Sequence, residues 1–250
     1  MKISKQLICN GFDSSVAYPR AKCQRAFLYQ PEQEWTYSHH QSLTYFKGRY
    51  HAIWSNGLAD EDAPKQRVLW SHSGDFANWS KPLPLIDSQP GRETPLVITA
   101  AGFHVHQGTL VAYFGHYEYS PEHMEGSNRK MGDKGHRHTG LKAISSTDGL
   151  NWSEPVDMNL PLVPNHPPEA TASGRLMFSG NISFPISDDP FGLSGWKMRG
   201  IYPGESAAGV VDDSESFWHI RQRAGWPVPL CEGSFYQTDD GIIHMLLRSN

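Results

Sequence analysis

Apolar and polar positions follow short runs along most of the chain, and four of these runs read alike. They are GRYHAIWS from Gly48, GTLVAYFG from Gly108, GRLMFSGN from Gly174 and GIIHMLLR from Gly241. Each is a glycine turn followed by a mostly apolar stretch, the pattern of a buried strand. Their starts lie 60, 66 and 67 residues apart. A second signal recurs with them. Ser73-Gly-Asp75-Phe-Ala-Asn-Trp79-Ser-Lys-Pro82 and Ser146-Thr-Asp148-Gly-Leu-Asn-Trp152-Ser-Glu-Pro155 both read S-x-D-x-x-x-W-S-x-P. Two signals repeating together point to one supersecondary unit copied along the chain. A unit of several strands with no clear helix is a propeller blade, so the predicted fold class is all-β, a β-propeller.

The pattern also predicts individual elements. A hairpin runs from Gln41 to Ser55 with its turn at Lys47-Gly48, and a third strand covers Gln66 to Ser71. The next blade repeats this plan in PLVITAAGFHVHQGTLVAYFG and LKAISSTDGLNW. Between those two segments a loop from about Glu118 to His138 carries His123, Arg129, His136, Arg137 and His138. A loop of that length inside a compact repeat is usually functional. A Gly-, Pro- and Asp-rich insertion, Ser187 to Glu215, is expected above one rim. Residues 1 to about 35 follow no pattern and are candidates for an outer strand that closes the ring. About four blades begin here, and the last reaches only its first strand at Arg248-Ser-Asn250. Rings close with about four to eight blades, because an open ring leaves strand edges unpaired. Residues 1–250 are therefore expected to be one partial propeller domain, truncated at the C-terminus, from a ring of six or seven blades. The aspartate turns are structural: a short Asp or Ser side chain bonds backbone amides, and the Trp packs between strands.

Composition narrows the function classes. Charged residues make up 19% of the chain, hydrophobic ones 38%, and the net charge is −4. No basic excess suits nucleic acid, and no apolar run is long enough for a membrane helix. The N-terminal apolar stretch is too short for a signal peptide, so the cytoplasm is expected, or the periplasm or exterior if a leader is missing. Three cysteines, Cys9, Cys23 and Cys231, do not make a disulfide framework. His219, Cys231 and His244 are spaced by 12 and 13 residues and are ligand types that suit zinc. Their alternative is a buried free Cys and two unrelated histidines. No phosphate loop, nucleophile elbow or H-E-x-x-H is present.

The aspartate turns resemble degenerate Asp-boxes (BNR repeats) of the sialidase-like propellers. Glu232-Gly-Ser, followed by a glycine turn and a strand ending in Arg248, resembles the pattern of that superfamily. An Arg-Ile-Pro is missing near the start, where Tyr18-Pro-Arg20-Ala stands instead. The chain is more similar to the seven-bladed group of ulvan lyases and rhamnosyl-glucuronate α-L-rhamnohydrolases. The residues that carry this are Tyr37-Ser-His39-His40-Gln-Ser, Trp54-Ser-Asn-Gly with Glu61-Asp62-x-Pro64-x-Gln66, Gly115-His116-Tyr117-Glu118-Tyr119, and Arg137-His138-Thr139. The resemblance implies a functional set of His40 or His39, Tyr117 or Tyr119, and Arg137. It also implies a structural zinc, for which His219, Cys231 and His244 are the candidates, and no cofactor required for the reaction.

Those residue types suit an acidic oligo- or polysaccharide as partner. Histidine exchanges protons near neutral pH, and arginine grips a carboxylate through two bonds. In a hydrolase releasing terminal L-rhamnose, Arg137 would anchor the neighbouring uronate while His40 assists departure or activates water. In a lyase, Arg137 would neutralise the uronate and a Tyr or His would protonate the leaving oxygen. His116, His138, Glu118, Glu232 and Arg248 are the expected substrate-binding residues, with Glu118 and Glu232 the best acidic candidates. A propeller that binds carbohydrate without turning it over, or a sialidase-like exo-glycosidase, is the alternative. His40 and Arg137 are expected to face one cleft at one end of the propeller axis, with Tyr117 or Tyr119 between them.

Overall fold

A computed structural model of the chain describes residues 22–126, 128–130, 136–180, 183–199 and 230–249. The described residues are almost entirely strand and turn. None of their helices is long and apolar enough to cross a membrane.

The first blade is an antiparallel meander of β1 (Tyr37–Phe46), β2 (Arg49–Gly57), β3 (Arg67–Ser73) and β4 (Leu83–Ile86). The second contains β5 (Val97–His106), β6 (Thr109–Tyr119), β9 (His136–Ser146) and β10 (Val156–Asp157). Between β6 and β9 the chain inserts a short 3-10 turn, Pro121–His123, and a small hairpin of β7 (Met124–Glu125) and β8 (Asn128–Arg129). Short strands β11 (Glu169–Ala170), β12 (Leu176–Met177) and β13 (Ile186–Ser187) start a third blade. A last hairpin pairs β14 (Leu230–Gln237) with β15 (Ile243–Ser249). The four glycine-led runs all become the second strand of their sheet. The architecture is that of a partial β-propeller.

The hairpin turns follow from their sequences. Phe46 pairs with Arg49 and His106 with Thr109, which leaves two-residue loops, Lys47-Gly48 and Gln107-Gly108. Both residues of each loop have positive φ, 45° and 80° in the first, 43° and 78° in the second. That is the turn type whose twist matches a right-twisted hairpin, and glycine takes its second position without strain.

The apolar faces of consecutive blades meet. Ile53, Val68 and Trp70 of the first blade pack with Ile98, Leu110, Phe114 and Ile144 of the second. Val111, Tyr113, Leu141 and Ala143 of the second blade pack with Phe178 of the third. The first strands, β1 and β5, lie against each other, as they do at the axial edge of a ring. Antiparallel pairing then puts the starts of β1, β3, β5 and β9 and the ends of β2 and β6 on one rim.

The aspartate turns sit on the opposite rim, after β3 and β9. Asp75 Oδ1 accepts the amides of Ala77 and Asn78 at 2.9 and 2.8 Å, and Asp148 Oδ1 accepts those of Leu150 and Asn151 at 2.8 Å each. A third copy follows β13, inside the segment expected to be a rim insertion. Asp189 there accepts the amides of Phe191 and Leu193 at 3.0 and 3.1 Å. Trp196 Nε1 donates to Gly192 O at 3.0 Å, as Trp79 Nε1 donates to Phe76 O at 3.0 Å. This copy reads S-x-D-x-x-x-L-S-G-W, with its Trp moved three positions along, which hides it from the motif. Of the N-terminal stretch expected to close the ring, residues 1–21 lie outside the described residues, and 22–36 form no strand.

Candidate functional site

The site begins with a bulge. His39 pairs with Ser55 and Ser42 with Ile53, so His40 and Gln41 together face Trp54. His40 takes the extra place with φ 54°, a left-handed conformation that is uncommon for a residue with a Cβ. In an unbroken strand two consecutive side chains point to opposite faces. Here the bulge turns both imidazoles to one side, with ring centroids 4.0 Å apart. The pair therefore lies inside β1, where the sequence reading had put it before the strand.

The loop after β2 brings acid to these rings. Gly57 allows the chain to double back, because a Cβ there would come within 2.9 Å of Asp60 O and 3.2 Å of Gln66 Oε1. Asn56 Nδ2 donates to Tyr37 O at 3.2 Å, and Arg67 Nε donates to Asn56 Oδ1 at 2.9 Å. Buried Gln66 anchors the far end through Ile98 O and Thr99 Oγ1, at 3.1 and 3.2 Å. Asp62 closes the turn with φ 65°. Glu61 Oε1 thereby reaches His39 Nδ1 at 3.2 Å and His40 Nε2 at 3.8 Å. On its other side, His40 Nδ1 lies 3.2 Å from Ser55 Oγ, which itself accepts the Ala100 amide at 2.9 Å. Burial first, and His39 next, push the His40 imidazole down to about 4, against a smaller opposing effect of Asp62. His40 is therefore neutral at physiological pH.

Asp62 joins this cluster to the second blade. The Tyr117 hydroxyl donates to Asp62 Oδ1, and the Tyr119 hydroxyl donates to Asp62 O at 3.4 Å. Burial, and then the Asp62 charge, raise the Tyr117 phenol well above its ordinary value. Both tyrosines are buried. His136 stacks on Tyr117 at 4.0 Å between centroids and meets Tyr119 edge-on at 5.2 Å.

Arg137 pairs with Glu93 Oε2 at 3.4 Å and Glu122 Oε1 at 3.3 Å. Alternation along β9 gives the tyrosines to His136 and sends Arg137 to these acids, and no described contact joins it to His40. Glu118 is fully buried. Its carboxylate accepts the amides of Arg92, Glu93 and Thr94 at 3.1, 2.9 and 2.9 Å. Burial alone would raise this carboxyl, but the three amides and His138 outweigh it and hold the group below its ordinary value. His138 Nε2 lies 3.8 Å from Glu118 Oε1, and its Nδ1 lies 3.2 Å from the Arg92 guanidinium. His116 packs its ring over Gly140, where a Cβ would come within 2.5 Å, and burial lowers its pKa. The ends of the segment expected to be one long loop are thus strand, in β6 and β9.

Glu232 and Arg248 pair with each other at 2.8 Å on the last hairpin. Glu232 has φ 49° at a bulge equivalent to that of His40. His219 lies outside the described residues, as do the side chains of Cys231 and Arg129. His244 contacts Thr238 Oγ1 at 3.2 Å and stacks on Tyr236.

Sequence reasoning took Glu61 and Asp62 as part of the motif resemblance, with no role in the site, and did not assign Arg92. The available signal was the two acids following Trp54-Ser-Asn-Gly.

No family model matches the chain, and no curated protein matches it. Solved structures do. A family 117 glycoside hydrolase, Zg3597 from the marine bacterium Zobellia galactanivorans, superposes with a TM-score of 0.50 at 12% identity, over 72% of this chain and 60% of that one. The Trypanosoma rangeli sialidase in complex with 2,3-difluorosialic acid gives 0.50 at 12% identity, over 85% of this chain and 34% of that one. A further sialidase gives 0.44 at 14% identity, over 69% of this chain and 22% of that one. The chain thus spans less than two thirds of the length of each of these proteins. At such identities the likeness is one of fold alone.

Proposed function

We propose that this chain forms part of a carbohydrate-active enzyme acting on uronate-containing glycans, a glycoside hydrolase that releases terminal L-rhamnose from glucuronate. The observation that carries this reading is the meeting of His39, His40, Glu61 and Asp62 at one rim, beside the tyrosine pair of the next blade. Proton donors and acceptors from two blades then converge where a sugar can lie. Arg92, held against His138 Nδ1 at 3.2 Å, supplies positive charge and hydrogen-bond donors for a carboxylate. The fold likeness to a glycoside hydrolase and a sialidase is in keeping with glycan chemistry, and the rhamnosyl-glucuronate substrate comes from the motif resemblance.

The division of labour follows from exposure. His39 and Glu61 are about half exposed, with side-chain values of 41% and 46%, and His40 lies behind them at 15%. Glu61 and His39 therefore meet the substrate first. Tyr117 and Tyr119 are buried and position Asp62 from below. The full-length protein should liberate free rhamnose from a rhamnose-capped glucuronate without new ultraviolet absorbance. The same residues could serve a lyase, whose product carries a double bond conjugated to its carboxylate. New absorbance without free rhamnose would reject the hydrolase reading. Neither signal, with glycan binding intact, would make the propeller a lectin.

A further inference from the structure

We infer that His39, His40 and Glu61 form a divalent metal site of the zinc class, with His39 Nδ1, His40 Nε2 and Glu61 Oε1 as ligands. The three ligand atoms lie within 4.8 Å of one another. Tetrahedral zinc takes nitrogen and carboxylate oxygen at about 2.0–2.2 Å, which requires ligand atoms roughly 3.3–3.6 Å apart. The two separations to Glu61 Oε1, 3.2 and 3.8 Å, bracket that requirement. The third separation, between His39 Nδ1 and His40 Nε2, is no more than 4.8 Å.

The surroundings also fit. A ligating histidine normally gives its second ring nitrogen to a fixed partner, which sets the tautomer. His40 Nδ1 has such a partner in Ser55 Oγ at 3.2 Å, which leaves Nε2 for the metal. Ser55 is itself fixed, fully buried and bonded to the Ala100 amide. His39 Nδ1 is buried and finds no hydrogen bond among the described residues. It faces Glu61 Oε1 without the geometry of one, which is how two ligands of a common ion are disposed.

The backbone serves the same end. A left-handed residue with a Cβ, as His40 is, persists only where the surroundings hold it. The bulge itself recurs in β5 and β14; what is particular to β1 is that two histidines occupy it, so that consecutive imidazoles lie on one side. Two histidines and one carboxylate occupy three of four tetrahedral positions. The fourth is left for water or an oxygen of a bound ligand, the arrangement of a catalytic zinc site rather than a structural one. The site is distinct from the His219, Cys231 and His244 set. Its place at the proposed reaction centre deepens the functional reading, but binding of the ion does not depend on which glycan is used.

The test is metal binding by the whole protein, stripped with chelator and dialysed against zinc chloride, with bound metal quantified. Wild type is expected to hold one more zinc equivalent than Glu61→Gln or His39→Ala at micromolar free zinc. Each variant should weaken that equivalent at least tenfold. Cobalt(II) in place of zinc should give wild type the intense visible bands of a tetrahedral ion, absent from both variants. Both substitutions are at partly exposed positions, and circular dichroism with urea melts confirms folding. Equal zinc stoichiometry and affinity in wild type and variants would overturn the inference, as would cobalt bands unaffected by either substitution. Zinc binding without glycan turnover would uphold the metal site and reject the proposed function. Turnover with no difference in metal content would do the reverse.

Discussion

Glu118 offers the sharpest test of how the rim is held. Its carboxylate is fully buried at the end of β6 and accepts three consecutive amides, those of Arg92, Glu93 and Thr94. The loop lies so close that a Cβ on Gly91 would fall within 2.2 Å of Glu118 Oε2. A hydrogen bond to a charged group contributes about 1.5–3 kcal/mol, so three give about 5–9 kcal/mol gross. Taking the carboxylate out of water costs several kcal/mol, which leaves a net contribution of about 3 kcal/mol. Glu118→Ala removes that and leaves the buried Thr94 amide unpaired, for a loss of about 4–5 kcal/mol. Glu118→Gln keeps one acceptor and turns an amide donor toward another donor, for a loss of about 2–4 kcal/mol. Urea unfolding reads this as a midpoint lower by roughly 1 M or more at unchanged slope. The pH dependence has a definite sign. The folded carboxyl is held below its ordinary value, so its stabilisation is complete above the unfolded pKa and is lost as pH falls through the folded one. The gap between wild type and Glu118→Gln should therefore narrow in acid. If both variants unfold within about 0.5 kcal/mol of wild type at pH 7, the amide cradle does not hold the loop.

Three further outcomes are expected. His51 is fully buried, and burial followed by the nearby His72 pushes it down to about 4. The unfolded chain binds more protons between pH 6.5 and 4, so about 3 kcal/mol of stability is lost as pH falls through that window. His51→Phe should flatten that part of the stability profile. Phe178→Ala, at the junction of the second and third blades beside Tyr113 and Trp196, should cost about 3–5 kcal/mol in denaturant unfolding. Arg92→Ala should raise KM for a uronate-containing glycan roughly tenfold with kcat within about threefold, since a lost ground-state contact to a carboxylate weakens binding more than chemistry. An unchanged KM with a reduced kcat would move Arg92 out of the anchoring role.

What the sequence alone determined is the part governed by local rules. The glycine-led runs gave the second strand of each blade because a two-residue turn needs positive φ at Gly48 and Gly108, and apolar residues follow to fill the gap between sheets. The Asp75 and Asp148 turns were legible because a carboxylate bonds amides two and three residues ahead. The related turn at Asp189, whose carboxylate bonds amides two and four residues ahead, went unread because its Trp is displaced. The histidines, tyrosines and Arg137 could be singled out by type, but their grouping could not. Only the tertiary structure decided that His39 and His40 share a side, since that needs a bulge whose register is set by pairing with β2. Only the folded rim decided that Glu61 turns back to them, that Asp62 meets Tyr117, and that His136 rather than Arg137 lies against the tyrosines. These contacts join residues tens of positions apart, where strand register and blade packing, not local sequence, choose the neighbour.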